Sequence, residues 1–159
     1  MSIDVKKLDD DQLKTLIANH RKEGETSSTL YLNALEELEG RKGKGLNFRT
    51  SFEVIKKAAK DGRYVSYKEL ADESGVVWNK AYRAIGPHLF GLVEFAHRQG
   101  WPMLSSIVVN KKNLESGELE LSAMKGFISA AHTLGYKITD EKQFVRDQQL
   151  RVFAWAKKV

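Results

Sequence analysis

The stretch from Arg63 to Asn110 constrains this chain more than any other part. It opens Arg63-Tyr64-Val65-Ser66-Tyr67-Lys68-Glu69-Leu70-Ala71, passes Gly75, and continues Trp78-Asn79-Lys80-Ala81-Tyr82-Arg83-Ala84-Ile85-Gly86. A further apolar segment leads to Trp101-Pro102-Met103-Leu104-Ser105-Ser106-Ile107-Val108-Val109-Asn110. The order reads strand, helix, turn, helix, helix, strand. That is a helix-turn-helix closed by a short sheet, a winged-helix type of unit. Ser66 and Glu69 make an S-x-x-E capping box, which predicts a helix from Tyr67 with Leu70 and Ala71 inward. Gly75 can supply the left-handed residue that ends it. Val77, Ala81 and Ile85 recur at spacing four and predict one buried face, with Trp78, Lys80, Tyr82 and Arg83 largely off it. A helix that hides aliphatics and presents Asn79, Lys80, Tyr82 and Arg83 suits a DNA groove. A solvated helix whose aromatics assist the core would carry the same pattern.

The run Val65-Ser66-Tyr67-Lys68-Glu69-Leu70-Ala71, followed by Arg83-Ala84-Ile85-Gly86, resembles the DNA-binding half of O6-alkylguanine-DNA alkyltransferases and alkyltransferase-like proteins. The likeness covers roughly 45–50 residues. That family has a Tyr-x-x-(Leu/Ile)-Ala helix start and an Arg-Ala-Val-Gly recognition helix. The resemblance implies minor-groove binding and nucleotide flipping. It puts Arg83 in the role of the finger that fills the vacated stack, and Tyr67 near the flipped nucleotide's phosphate. The family's reactive centre is Pro-Cys-His-Arg-Val, and this chain has no cysteine. Alkyl transfer to a thiolate is therefore excluded. Ser105 stands nearest the missing cysteine when the two valines are aligned. What the resemblance leaves is a binder of flipped, damaged or modified bases; Ser105 and Ser106 are base-pocket candidates, and Trp101 reads as a core or rim residue or as an aromatic that stacks on a base.

Charge is unevenly spread. The net charge is +5, yet residues 1–40 hold five Lys/Arg against nine Asp/Glu. The remainder is strongly basic, which points to a polyanion-binding face there or to a simple solubility feature. A chain of 159 residues is long enough for one core and short for two, so a single domain spanning 1–159 is expected. No apolar run approaches the ~20 residues of a membrane span. Met1-Ser2-Ile3-Asp4-Val5-Lys6 lacks the apolar region of a secretory signal, and the absence of cysteine suits a reducing compartment, so a cytoplasmic protein is expected.

Residues 1–40 read as a supporting helical hairpin. Residues 8–22 carry aspartates at the start, a stripe of Leu13, Leu16, Ile17 and His20, and a stop at Gly24. A second helix over about 30–39 turns Leu30, Ala34, Leu35 and Leu38 inward and Glu36, Glu37 and Glu39 outward. This acidic face would repel DNA and suits a support, a dimer surface or a protein partner. Gly40-Arg41-Lys42-Gly43-Lys44-Gly45 is a basic loop whose Arg41, Lys42 and Lys44 are candidate phosphate contacts, or a plain linker.

The winged-helix core is expected over 50–120. Thr50 and Glu53 make a second capping box, with Phe52, Ile55, Ala58 and Ala59 buried and Lys56, Lys57 and Lys60 exposed. Pro87 fits a first helical turn, and Leu89, Leu92, Val93 and Ala96 line a buried face up to Gly100. Met103–Val109 reads as a strand. Lys111 and Lys112 occupy the position of a wing, with Glu118-Leu119-Glu120 as a return strand. Helices complete the chain over 121–159. The first buries Met124, Phe127, Ile128 and Ala131. The second buries Phe144, Val145, Leu150, Phe153 and Ala154, with Trp155 as a lid, and leaves Gln148 and Gln149 facing DNA or solvent.

Enzyme signals are weak: there is no Gly-rich phosphate loop, H-E-x-x-H or nucleophile elbow. The four histidines show no ligand spacing, so neither metal nor cofactor is expected. The expectation is an α+β, mainly helical fold: a winged helix-turn-helix core with an N-terminal helical hairpin and C-terminal helices. Its expected role is non-catalytic DNA binding, with a modified, damaged or flipped base in repair or genome defence as the target. DNA contacts would come from Tyr67, Trp78, Asn79, Lys80, Tyr82, Arg83, Lys111 and Lys112. The alternatives are a protein-protein interaction module with a structural helix-turn-helix, and a small glycosylase or nuclease.

Overall fold

The computed structural model describes residues 3–41 and 46–159. It is mainly helical. After a single 3-10 turn at Val5–Lys7 come α1 (Asp10–Glu23), α2 (Thr29–Arg41), α3 (Phe48–Lys60), β1 (Val65–Ser66), α4 (Tyr67–Glu73), α5 (Trp78–Ala81) and α6 (Ile85–Arg98). Then β2 (Val108–Val109), α7 (Leu121–Thr133) and α8 (Glu141–Ala156) follow. No helix among the described residues is long and apolar enough to cross a membrane.

The N-terminal hairpin forms because its ends are capped. Asp9 accepts from the Gln12 backbone N–H while the Gln12 side chain accepts from the Asp9 N–H. Gly24, at φ +74°, closes α1 in the left-handed conformation. Leu13, Ile17, Ala34, Leu35 and Leu38 form the hairpin's own core together with Tyr31, which is fully buried. Leu30, expected inward, is only half-buried. The hairpin is tied to α6 by one polar cluster. The Tyr31 hydroxyl donates to Glu94 Oε1, and Arg21 Nε lies 3.1 Å from the Tyr31 oxygen and 3.3 Å from Glu94. Burial first, then the Glu94 carboxylate, pushes the Tyr31 phenol well above its ordinary range, so it stays a donor.

Helix α3 starts three residues before the Thr50 box. Asn47 is the cap, its Oδ1 accepting from the Thr50 N–H at 2.9 Å. The expected Thr50/Glu53 box is therefore corrected: Asn47 satisfies the N–H one turn earlier. Ser66 does cap α4, its Oγ accepting from the Glu69 N–H at 3.1 Å, while the Glu69 carboxylate turns to Arg63. Gly75 has φ +78°, as expected after that helix.

The main core joins α3, α4, α6, α8 and the two strands through Ile55, Leu70, Leu92, Ile107, Val108 and Val152. Each such side chain contributes about 1.5–3 kcal/mol on burial. A separate cluster of Val93, Met103, Phe127, Ile128, Ala131 and Val145 holds α7.

The sheet departs from expectation. β1 and β2 pair parallel, Val65 opposite Val108 and Ser66 opposite Val109, with α4–α6 as the crossover a parallel pair requires. Of the expected strand Met103–Val109, residues Leu104–Ile107 instead form a 3-10 turn, and Glu118–Glu120 is not a strand. The reason is where the backbone hydrogen bonds go. Gln148 Oε1 accepts from the Met103 N–H at 2.9 Å, and Gln149 Nε2 donates to the Ser106 and Gly117 carbonyls at 2.9 and 2.8 Å. Side chains of α8 satisfy this segment, and no return strand is needed.

That same clamp sets the rotation of α8. Gln148 and Gln149, expected outward, are buried, and Leu150, expected buried, is 67% exposed. Ala154 is exposed, Phe153 half-buried, and Val152, Trp155 and Ala156 are buried in their place. Val77 also corrects an expectation. It is the extended cap of the one-turn helix α5 and is exposed, while Ala81 is fully buried.

Candidate nucleic-acid interface

Helix α4, helix α5 and the residue that caps α5 bring three aromatic rings to one place. Ser66 starts α4 so that Tyr67, its first residue, sits at the end of the parallel sheet. The Tyr67 and Trp78 rings lie nearly parallel, with centroids 6.3 Å apart and planes 13° off. Trp78 meets Tyr82 edge-on at 6.5 Å. The three rings form one wall of a cleft of about 620 Å3, and α7 forms the other through Ala123, Phe127 and Ala130. That volume falls within the roughly 300–1,000 Å3 of sites that enclose small molecules. Polar atoms reach the cleft from Ser105, Asn110 and Glu120.

Burial first, and then the negative charge of Glu120, pushes the Tyr67 phenol up to about 12. Tyr67 therefore presents a neutral O–H, able to donate, throughout the physiological range. Next to this wall, Arg83 is exposed. Its Nε donates to the Tyr82 hydroxyl at 3.0 Å, and its guanidinium carbon lies 5.6 Å from the Tyr82 ring centroid. Among the described residues no carboxylate pairs with Arg83.

The structure brings together some of the candidate residues and separates others. Tyr67, Trp78, Tyr82 and Ser105 converge on the cleft. Asn79 is exposed on α5. The Lys80 side chain, and Lys42 and Lys44, lie outside the described residues. Lys111 is exposed in the 3-10 turn Lys111–Asn113, and Lys112 pairs with Glu120. Arg41 ends α2, where it pairs with Asp10 and Glu37 and donates to the Val5 and Lys6 carbonyls. It braces the hairpin rather than standing in a free loop. Trp101 packs with Phe52, Phe95 and Trp155 in an aromatic cluster of the main core, away from the cleft. Ser106 is fully buried, and its Oγ has no hydrogen-bond partner among the described residues. Of the three base-pocket candidates, only Ser105 lines the cleft.

Sequence reasoning missed Glu120, Asn110 and the whole α7 wall. Glu120 read as part of a strand, and the small residues Ala123, Gly126 and Ala130 on α7 were the only available signal that something approaches that face. Among the described residues, no group of three or more His, Asp and Glu side chains is placed to hold a metal ion. No protein-family model matches the chain, and comparison with curated proteins and with solved structures finds no match.

Proposed function

We propose that this protein binds DNA without catalysis and receives an extruded, modified or damaged base in the cleft beside Tyr67. The observation that carries this reading is the convergence of Tyr67, Trp78, Tyr82 and Ser105 on one cleft, with Arg83 exposed alongside and paired with no carboxylate among the described residues. Stacking on aromatic rings is how proteins hold unstacked bases, at about 1–3 kcal/mol per base. An arginine next to such a pocket is suited to filling the gap that an extruded base leaves in the duplex. Lys111 would add salt-dependent affinity from the phosphates. The winged-helix reading of 50–120 belongs to this proposal, with α4 and α5 as the helix-turn-helix and Lys111–Asn113 in the place of a wing. A role in repair or genome defence follows from the target class.

The test is a salt titration of binding to unmodified, methylated, alkylated and mismatched duplexes. Binding should weaken steeply with salt, and Arg83→Ala should weaken binding to distorted duplexes more than Lys111→Ala does. A flat salt response, or no binding, rejects the proposal.

A second reading has its own observation. The hairpin carries an open groove floored by Leu8, Leu16 and Leu30 and edged by Asp9 and Asp11, with Ile3 52% exposed beside it. In that reading the protein is an interaction module whose acidic hairpin docks a protein partner.

A further inference from the structure

The cleft has an uneven polar inventory. Among the described residues that line it, Glu120 alone carries a formal charge at neutral pH; the rest are aromatic, aliphatic, hydroxyl or amide side chains. A phosphate would find no cation among them. The three ring faces each carry the negative side of an aromatic quadrupole, which attracts positive charge. Glu120 adds a carboxylate to the same cleft, near enough to the ring wall to help hold the Tyr67 phenol proton. Lys112 meets Glu120 through its Oε1 but does not itself line the cleft. Arg83 also stays outside the lining and points its charge at Tyr82.

We infer that the cleft prefers a nucleobase that carries positive charge, of the kind that alkylation of a ring nitrogen creates, over neutral bases, O-alkylated ones included. This rests on the reading of the cleft as a base pocket and names its substrate class. Methylation at N1 of adenine or N3 of cytosine gives a planar ring with a delocalised charge at neutral pH. Such a ring gains cation–π attraction on Trp78 and Tyr82 in addition to stacking. Its exocyclic amino group is a donor for the Glu120 carboxylate, which offsets the charge. The same methyl group blocks the pairing edge, so extrusion from the duplex costs less than for an intact pair.

The experiment uses the full chain and duplexes that differ at one position: adenine, 1-methyladenine, guanine or O6-methylguanine. A second arm uses free 1-methyladenosine and adenosine followed by calorimetry. The 1-methyladenine duplex should bind about tenfold tighter than its unmodified parent, a gain that O6-methylguanine does not give. Glu120→Gln should remove most of that gain, read as the ratio of 1-methyladenine to adenine duplex binding. Trp78→Leu should weaken binding to every duplex and should also lower the ratio of 1-methyladenine to adenine binding by a different route, which keeps the test valid if one variant fails to fold. Lys112→Met, which frees the carboxylate, should sharpen the preference among free nucleosides. Equal or tighter binding of O6-methylguanine, or an undiminished preference in both Glu120→Gln and Trp78→Leu, overturns the inference while DNA binding stands. If no duplex binds, the proposed function falls, and the nucleoside arm decides the inference: a preference for 1-methyladenosine upholds it, and none overturns it.

Discussion

Replacing Gln149 by Met tests the rotation of α8 and the clamp that shapes the cleft's far wall. Gln149 is 3% exposed, and its Nε2 serves two backbone carbonyls, Ser106 at 2.9 Å and Gly117 at 2.8 Å. Met keeps the length and most of the volume of the side chain but donates nothing. Both carbonyls then lose a partner in a site that water does not reach. A buried polar group left unsatisfied costs about 1–3 kcal/mol, and two of them with partial relaxation amount to about 2–4 kcal/mol. For a chain of this size, that lowers the melting temperature by roughly 5–15 °C. Urea denaturation should show a reduced midpoint with an unchanged slope, the mark of lost stability rather than a changed denatured state. The adjacent Leu150 supplies the control. It is 67% exposed, so Leu150→Ser should change stability by no more than about 0.5 kcal/mol. The opposite result, a tolerant Gln149 and a Leu150 that costs about 2–5 kcal/mol, would show that the helix is turned the other way and that the 103–117 segment is held by something else.

Four further outcomes can be measured. Gly117→Ala should destabilise by about 3 kcal/mol or more by urea denaturation, because φ is +71° and a Cβ would lie 2.2 Å from the Tyr64 ring, whereas Gly62→Ala, at φ +72° in open space, should cost about 1–2 kcal/mol. The Tyr67 phenol is raised in the folded state, so its contribution to stability is complete below pH about 10 and disappears as pH rises through about 12; Tyr67→Phe should flatten stability over that alkaline window, as read by denaturant melts. Glu94→Gln should cost about 1–3 kcal/mol by weakening the Tyr31–Arg21–Glu94 cluster, and amide hydrogen exchange in α1 and α2 should then quicken before that in α6. Arg83→Ala should leave the melting temperature unchanged, because the side chain is exposed, while weakening binding to distorted duplexes, whereas Lys111→Ala should lower the salt slope of duplex binding by about 1.

Much of the local structure was written in short-range chemistry. The capping oxygens of Asp9 and Ser66, the glycines at 24 and 75, and the spacing of Leu13 and Ile17 or Leu70 and Ala71 name their helices without help from the rest of the chain. Each acts within one helical turn, and one turn is the range over which side-chain spacing can be read. The Tyr67 to Arg83 stretch was likewise marked as the place to look. The failures share a different cause. Leu150 reads as core and Gln149 as surface on hydrophobicity alone, yet Gln149 is inside because two carbonyls 32 and 43 residues away need a donor. The strand expected at Met103–Val109 shrank to two residues for the same reason, and the expected return strand at Glu118–Glu120 did not form.

The sequence by itself determined where most helices begin and that no thiolate chemistry is open to this chain. Only the tertiary structure decided that Ser106 is buried in the core, that Ser105 faces a cleft, and that Glu120 supplies the charge in it. Those assignments depend on elements far apart in the chain: α8 packs on the segment that carries Ser105 and Ser106, and Glu120 joins a cleft whose rings come from some forty residues earlier. A pairing at that distance leaves no periodicity in the residues that make it.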